Sequence, residues 1–181
     1  MRVLLACEES QAVCSEFRKL GHEAYSCDIL PTSGNNPEWH IQSDVLQVIK
    51  DESWDLMIAF PPCTHLAVSG ARHFDQKKQD GRQKAAIEFF LAMVNAPIKY
   101  IAVENPVGIM STLYKRPTQC IHPYYFGDPY PKKTCLWLKN LPKLVATDMC
   151  ETWESTVTAK WFNNGGKDRQ RNRSKIFPGI A

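Results

Sequence analysis

The stretch Trp54-Asp55-Leu56-Met57-Ile58-Ala59-Phe60-Pro61-Pro62-Cys63 decides the fold. A near-continuous apolar run of this length suits a strand covered on both faces, the condition of a parallel sheet. The two prolines stop it, because proline fixes φ and cannot donate to a ladder. They leave a cysteine just past the strand's end. The pattern recurs on both sides of this stretch. Residues 2–6 and 23–28 read as strands, 41–45 as a short one and 99–103 as the next, with two more at 119–124 and 134–138. Between them, residues 10–20 place Ala12, Val13, Phe17 and Leu20 at helical spacing, and Gly21 follows as a C-cap. Residues 80–96 carry Ala86, Phe89, Phe90, Met93 and Val94 on one helical face. Strands alternating with helices predict an α/β fold, a mixed and mainly parallel sheet flanked by helices.

The 181 residues are enough for one core of ordinary size, so a single domain over 1–181 is expected. No apolar run approaches the roughly 20 residues of a membrane span. Residues 1–5 lead straight into the first strand, without the pattern of a secretory signal. The seven cysteines include no C-x-x-C pair and no zinc spacing, so neither a metal site nor a disulfide framework is expected. Most of them read as small buried hydrophobes. Charge is uneven. Residues 1–90 hold 9 basic and 13 acidic side chains, while residues 91–181 hold 13 and 6. The basic excess, densest over 160–175, suits either phosphate contacts or a solvated tail.

In an open parallel sheet, ligands sit beyond the carboxyl ends of the strands. Polar residues stand there after each predicted strand: Glu8, Glu9 and Ser10; Asp28; Asp44; Pro62-Cys63-Thr64; and Glu104-Asn105. One cleft would hold them all. An acid at Asp28 suits the two hydroxyls of a ribose, and Asp44 suits an amino group such as adenine's. Each alone reads equally as a helix N-cap or turn residue. The first turn, Ala6-Cys7-Glu8-Glu9-Ser10-Gln11, has no glycine and two acids. It would repel a pyrophosphate cofactor and tolerate a cationic one without phosphate, such as S-adenosylmethionine. Cys63 at the strand end suits a nucleophile, and Glu104, leaving the neighbouring strand, suits an acid that protonates a ring nitrogen while sulfur attacks carbon. The bland alternative is a proline-rich turn with an incidental cysteine and a structural glutamate. His65 and His73 read as hydrogen-bonding or exposed loop residues, and His22 and His40 have no acid or cysteine at useful spacing.

Taken together, these residues resemble the DNA (cytosine-5) methyltransferases. Phe60-Pro61-Pro62-Cys63 is similar to their nucleophile motif, and Val103-Glu104-Asn105-Pro106 to their Glu-Asn-Val motif. Phe126-Gly127-Asp128-Pro129-Tyr130-Pro131-Lys132-Lys133 resembles their Phe-Gly-x-Pro-Gln-x-Arg-x-Arg segment. Asp28 and Asp44 match the ribose and adenine acids by position. The order holds over residues 3–137, and the nearest likeness is to short methyltransferase-like proteins of phage and prophage genomes.

The resemblance implies a class I S-adenosylmethionine-dependent, Rossmann-like fold. It implies Cys63, Glu104 and Lys132 as catalytic residues, and Cys7, Glu8, Glu9, Ser10, Asp28, Ile29, Asp44, Val45 and Pro61 around S-adenosylmethionine. Pro62, Thr64, Asn105 and Lys133 would lie against the substrate, either DNA or a free deoxycytidine nucleotide. No metal and no membrane partner are implied. The compartment would be the cytoplasm of a bacterial or phage-infected cell. A catalytically silent phage factor on the same scaffold is the third alternative.

The chain departs from the family pattern in several places. The first motif lacks its glycines. Lys132 replaces one arginine, and Thr134 falls where the second would be. Only Phe177-Pro178-Gly179-Ile180-Ala181 echoes the C-terminal Gly-Asn-Ala motif. Residues 138–175 are too few for a separate target-recognition domain of usual size. Tyr124, Tyr125, Trp153, Trp161 and Phe162 read either as base-stacking rings or as core.

Overall fold

A computed structural model describes residues 1–152 and 178–181. The strands are β1 (Arg2–Ala6), β2 (Glu23–Asp28), β3 (His40–Gln42), β4 (Leu56–Ala59), β5 (Tyr100–Pro106), β6 (Gln119–Ile121) and β7 (Thr134–Lys139). They form one sheet in the order β3-β2-β1-β4-β5-β7-β6. β3, β2, β1, β4 and β5 run parallel to their neighbours, and β7 pairs antiparallel with β5. Strand order reverses between β1 and β4, the switch point at which open α/β sheets form their crevice. The helices are α1 (Ala12–Lys19), α2 (Val45–Asp51), α3 (Phe74–Gln79), α4 (Arg82–Val94) and α5 (Met110–Leu113).

The central strands are apolar because both of their faces are buried. Val3, Leu4, Leu5 and Ala6 of β1 are fully buried, as are Met57 and Ala59 of β4. From α4, Phe90, Met93 and Val94 enter the core, with Ala86 and Phe89 packed against it. The Phe90 ring meets Trp137 of β7 edge to face at 5.0 Å, a favourable aromatic geometry.

Two expected elements differ. Residues 41–45 are not one strand. β3 ends at Gln42, and Asp44 caps α2 by accepting from the Leu46 N–H at 2.9 Å. The strand expected over 119–124 ends at Ile121, because Pro123 opens a 3-10 turn, Pro123–Tyr125. Among the cysteines, Cys14, Cys27 and Cys135 are buried, and Cys7, Cys63, Cys120 and Cys150 are only half-buried.

The chain forms two compact units. One comprises Met1–Cys120 and Thr134–Lys143, the other Ile121–Lys133 and Leu144–Ala181. In the second, the rings of Tyr124 and Tyr125 meet edge to face at 4.8 Å, and His122 stacks on Tyr124 at 5.0 Å. The Gly179 N–H donates to Asp128 Oδ2 at 2.8 Å, and a Cβ at Gly179 would collide with the Phe126 carbonyl.

Candidate active site

Sheet register sets the site's level. Ala6 of β1 lies beside Cys27 of β2 and Ala59 of β4, and Ala59 lies beside Val103 of β5. Cys7, Asp28, Phe60 and Glu104 therefore stand in one row, each a residue further on. The switch point falls in the middle of that row.

The turn after β4 is held from outside itself. Asn105, 1% exposed, donates from Nδ2 to the Pro61 carbonyl at 2.8 Å. The Cys63 carbonyl accepts from the N–H groups of Leu66 and Ala67 at 3.0 and 2.9 Å. Lys77 Nζ donates to the Thr64 carbonyl at 2.6 Å, and Gln83 Nε2 to the His65 carbonyl at 3.2 Å. Beyond β5, Val107–Ile109 closes on the same turn. The Val68 N–H donates to Val107 O, and the Ile109 N–H to Leu66 O, both at 3.0 Å. Gly108 is required here, since a Cβ would stand 2.4 Å from the Leu66 carbonyl. Pro61 is buried, Pro62 and Thr64 are exposed, and Cys63 and Glu104 are half-buried.

The turn after β1 closes on itself. Cys7 and Gln11 both have φ near +60°, a left-handed backbone that glycine would adopt more easily. Glu8 is 5% exposed, and its carboxylate accepts from the Val13 and Cys14 N–H groups at 2.6 and 3.2 Å. It thereby fills the anion-attracting N-terminus of α1, where a Gly-rich loop would admit a phosphate. Burial pushes the Glu8 carboxyl up to about 7, against the lowering effect of those two N–H bonds, with Glu9 adding to the rise. Glu9 accepts from the Ser33 N–H at 3.1 Å, and Ser10 Oγ lies 3.4 Å from the Ala12 N–H. Gln11, 1% exposed, exchanges two hydrogen bonds with the Asn36 backbone.

The Cys7 thiol is pushed up to about 12, first by burial, then by Asp28, Cys27 and Asp44. Asp28 and Asp44 thus both act on the Cys7 thiol. Asp28 Oδ1 accepts from the Leu30 N–H at 2.9 Å, and Asp44 has the cap already described. The turn and cap readings of these acids therefore hold for one oxygen of each. Ile29, beside Asp28, is 73% exposed. Val45 is packed in the core, leaving only its backbone to face a ligand.

The remaining expected site residues are not among the described residues of the first unit. Lys132, half-buried, and Lys133, exposed, belong to the second unit. The basic stretch 160–175, Trp153, Trp161, Phe162 and Phe177 lie outside the described residues. His65 is held below its usual imidazole range by burial, then by Lys77 and Arg82. Sequence reading missed Lys77, Gln83 and Gly108. Nothing local separates Lys77 from its exposed neighbour Lys78, and only the fold reveals which points inward. Among the described residues, no group of three or more His, Cys, Asp or Glu would hold a metal ion, and no helix is long and apolar enough to cross a membrane.

No family model and no curated protein matches the chain. Among solved structures, it is similar to an E. coli prophage protein described as a DNA modification methyltransferase. The identity is 16% and the TM-score 0.49, over 75% of this chain and 45% of that one. The chain thus spans less than half the length of that protein.

Proposed function

We propose that the chain is an S-adenosylmethionine-dependent transferase acting at C5 of cytosine in DNA, with Cys63 as nucleophile and Glu104 as its acidic partner. The observation that carries this reading is the Asn105–Pro61 hydrogen bond. It ties the turn bearing Cys63 to the residue that follows Glu104, so thiol and carboxyl leave adjacent strands in a fixed relation.

The crevice floor fits the cofactor in its chemistry. Glu9, Asp28 and Asp44 favour a cation over a phosphate, and Glu8 already fills the helix N-terminus that a phosphate would use. Ile29, left in solvent beside Asp28, suits the face of a flat ring. Asp28 would hold the ribose and Asp44 the adenine amino group. When bound, S-adenosylmethionine supplies an electrophilic methyl group.

The chain's own residues would do the rest. Cys63 adds to C6 of cytosine, and Glu104 hydrogen-bonds or protonates N3, which leaves C5 electron-rich. After transfer, loss of the C5 proton and departure of Cys63 restore the ring. A base within a duplex must first leave the stack.

Methyl transfer from tritiated S-adenosylmethionine to duplex DNA, single strands, dCMP and dCTP tests the reading. Label at cytosine C5 of DNA is the expected result. Label on the free nucleotides alone would move the substrate to the nucleotide pool. Cofactor binding without transfer to any of the four would leave only a silent scaffold.

A further inference from the structure

Lys77 lies on α3, outside the residues assigned above, yet it is 7% exposed. An ammonium is costly to take out of water, and buried ones ordinarily pair with a carboxylate. Among the described residues no carboxylate pairs with Lys77. Its hydrogen bond goes to the Thr64 carbonyl at 2.6 Å, and the face of Phe74 lies 5.7 Å from it. Its charge reaches the turn, because it helps hold the His65 imidazole below its usual range. Among the described residues, the Asp80–Arg82 ion pair, between α3 and α4, also acts on the His65 imidazole, and Glu104 lies on β5. Asp75 and Lys78 are exposed on α3 itself.

We propose that Lys77 is a positioning residue for Cys63. Through the Thr64 carbonyl it fixes the peptide that follows the nucleophile, and its buried positive charge favours the thiolate over the thiol. The inference rests on Cys63 being the reactive thiol of the proposed function. It explains why a lysine stands where an apolar side chain would cost less to bury. Gln83 and Asn105 hold neighbouring carbonyls of the same turn with neutral amides; Lys77 alone among the three adds charge.

Residue-resolved alkylation tests this on the full chain. Iodoacetamide is applied from pH 6 to 10, and each cysteine peptide is quantified by mass spectrometry. In Lys77→Met, Cys63 alkylation at pH 7.5 is expected to slow at least fivefold. Its rate–pH curve should move up by about one unit, while Cys120 and Cys150 are unchanged. Lys77→Gln keeps an N–H donor for Thr64 without the charge and should show the same displacement. Lys77→Arg should restore most of the wild-type curve. An unmoved Cys63 curve in Lys77→Gln, or equal changes at Cys63, Cys120 and Cys150, overturns the proposal. Should Lys77→Met fail to fold, the Gln and Arg variants still decide. Alkylation needs neither cofactor nor cytosine, so a failure of the methyltransferase reading appears separately, in the transfer assay.

Discussion

The turns after β1 and β4 flank the switch point, but they are built in opposite ways. The first is filled by its own side chains. Glu8 caps α1, Gln11 binds Asn36, and two non-glycine residues accept left-handed backbone to make this possible. The second is held by groups from elsewhere: Asn105 of β5, Lys77 of α3, Gln83 of α4 and the chain at Gly108. Of the seven buried polar residues among those described, five hold one or other of these turns. Buried polar groups are retained where they fix a backbone that burial of apolar area cannot fix. On the proposed function, the self-filled turn would make the floor for the cofactor, and the externally braced turn would present Cys63.

The contrast can be broken most severely at Glu104. Glu104→Gln keeps the shape and removes the acid, so methyl transfer should fall about 10²-fold or more, the scale of general acid–base catalysis. Cys63 alkylation should change little by comparison. Loss of both together would make Glu104 a structural residue.

The self-filled turn is tested by pH. The Glu8 carboxyl is raised from 4.5 to about 7, so the folded state binds its proton more tightly than the unfolded chain does. The associated stability is fully present below about pH 4.5 and is lost as pH rises through 7, by at most about 3 kcal/mol. Glu8→Gln should flatten this dependence of the unfolding midpoint between pH 5 and 8. A wild-type midpoint that rises over that range would contradict the burial argument.

Asn105→Ala leaves the Pro61 carbonyl without its partner and should lower stability by about 1–3 kcal/mol. Transfer should slow beyond what the unfolded fraction explains, because the turn is freed from β5. A variant that loses stability but keeps its specific activity would show that bracing this turn serves folding alone. Asp28→Ala is the mildest test. It should weaken S-adenosylmethionine binding about tenfold, or 1.4 kcal/mol by calorimetry, and leave Cys63 alkylation as it was. Unchanged affinity would remove Asp28 from the cofactor site.

What could be read from sequence follows from which forces act locally. β1 and β4 are legible because a strand buried on both faces must be apolar throughout. The row of residues that follows the strands is legible because the end of a strand is where the polar residue stands. The insertion of β7 between β5 and β6 is not legible, since pairing partners distant in sequence leave no local periodicity. α2 was hidden because Ile41 and Val45 suit a strand as well as a helix, and only the Asp44 cap decides between them. Lys77 and Glu8 were least legible of all. Composition assigns charged side chains to the surface, and only the completed fold shows these two turned inward to backbone groups.

The most direct measurement is covalent trapping. DNA carrying 5-fluorocytosine, incubated with the protein and S-adenosylmethionine, blocks loss of the C5 substituent and should leave the protein bonded to the base. The account expects one adduct per chain, on the peptide containing Cys63, absent in Cys63→Ser. An adduct on another cysteine, or methyl transfer that persists undiminished in Cys63→Ser, would contradict it.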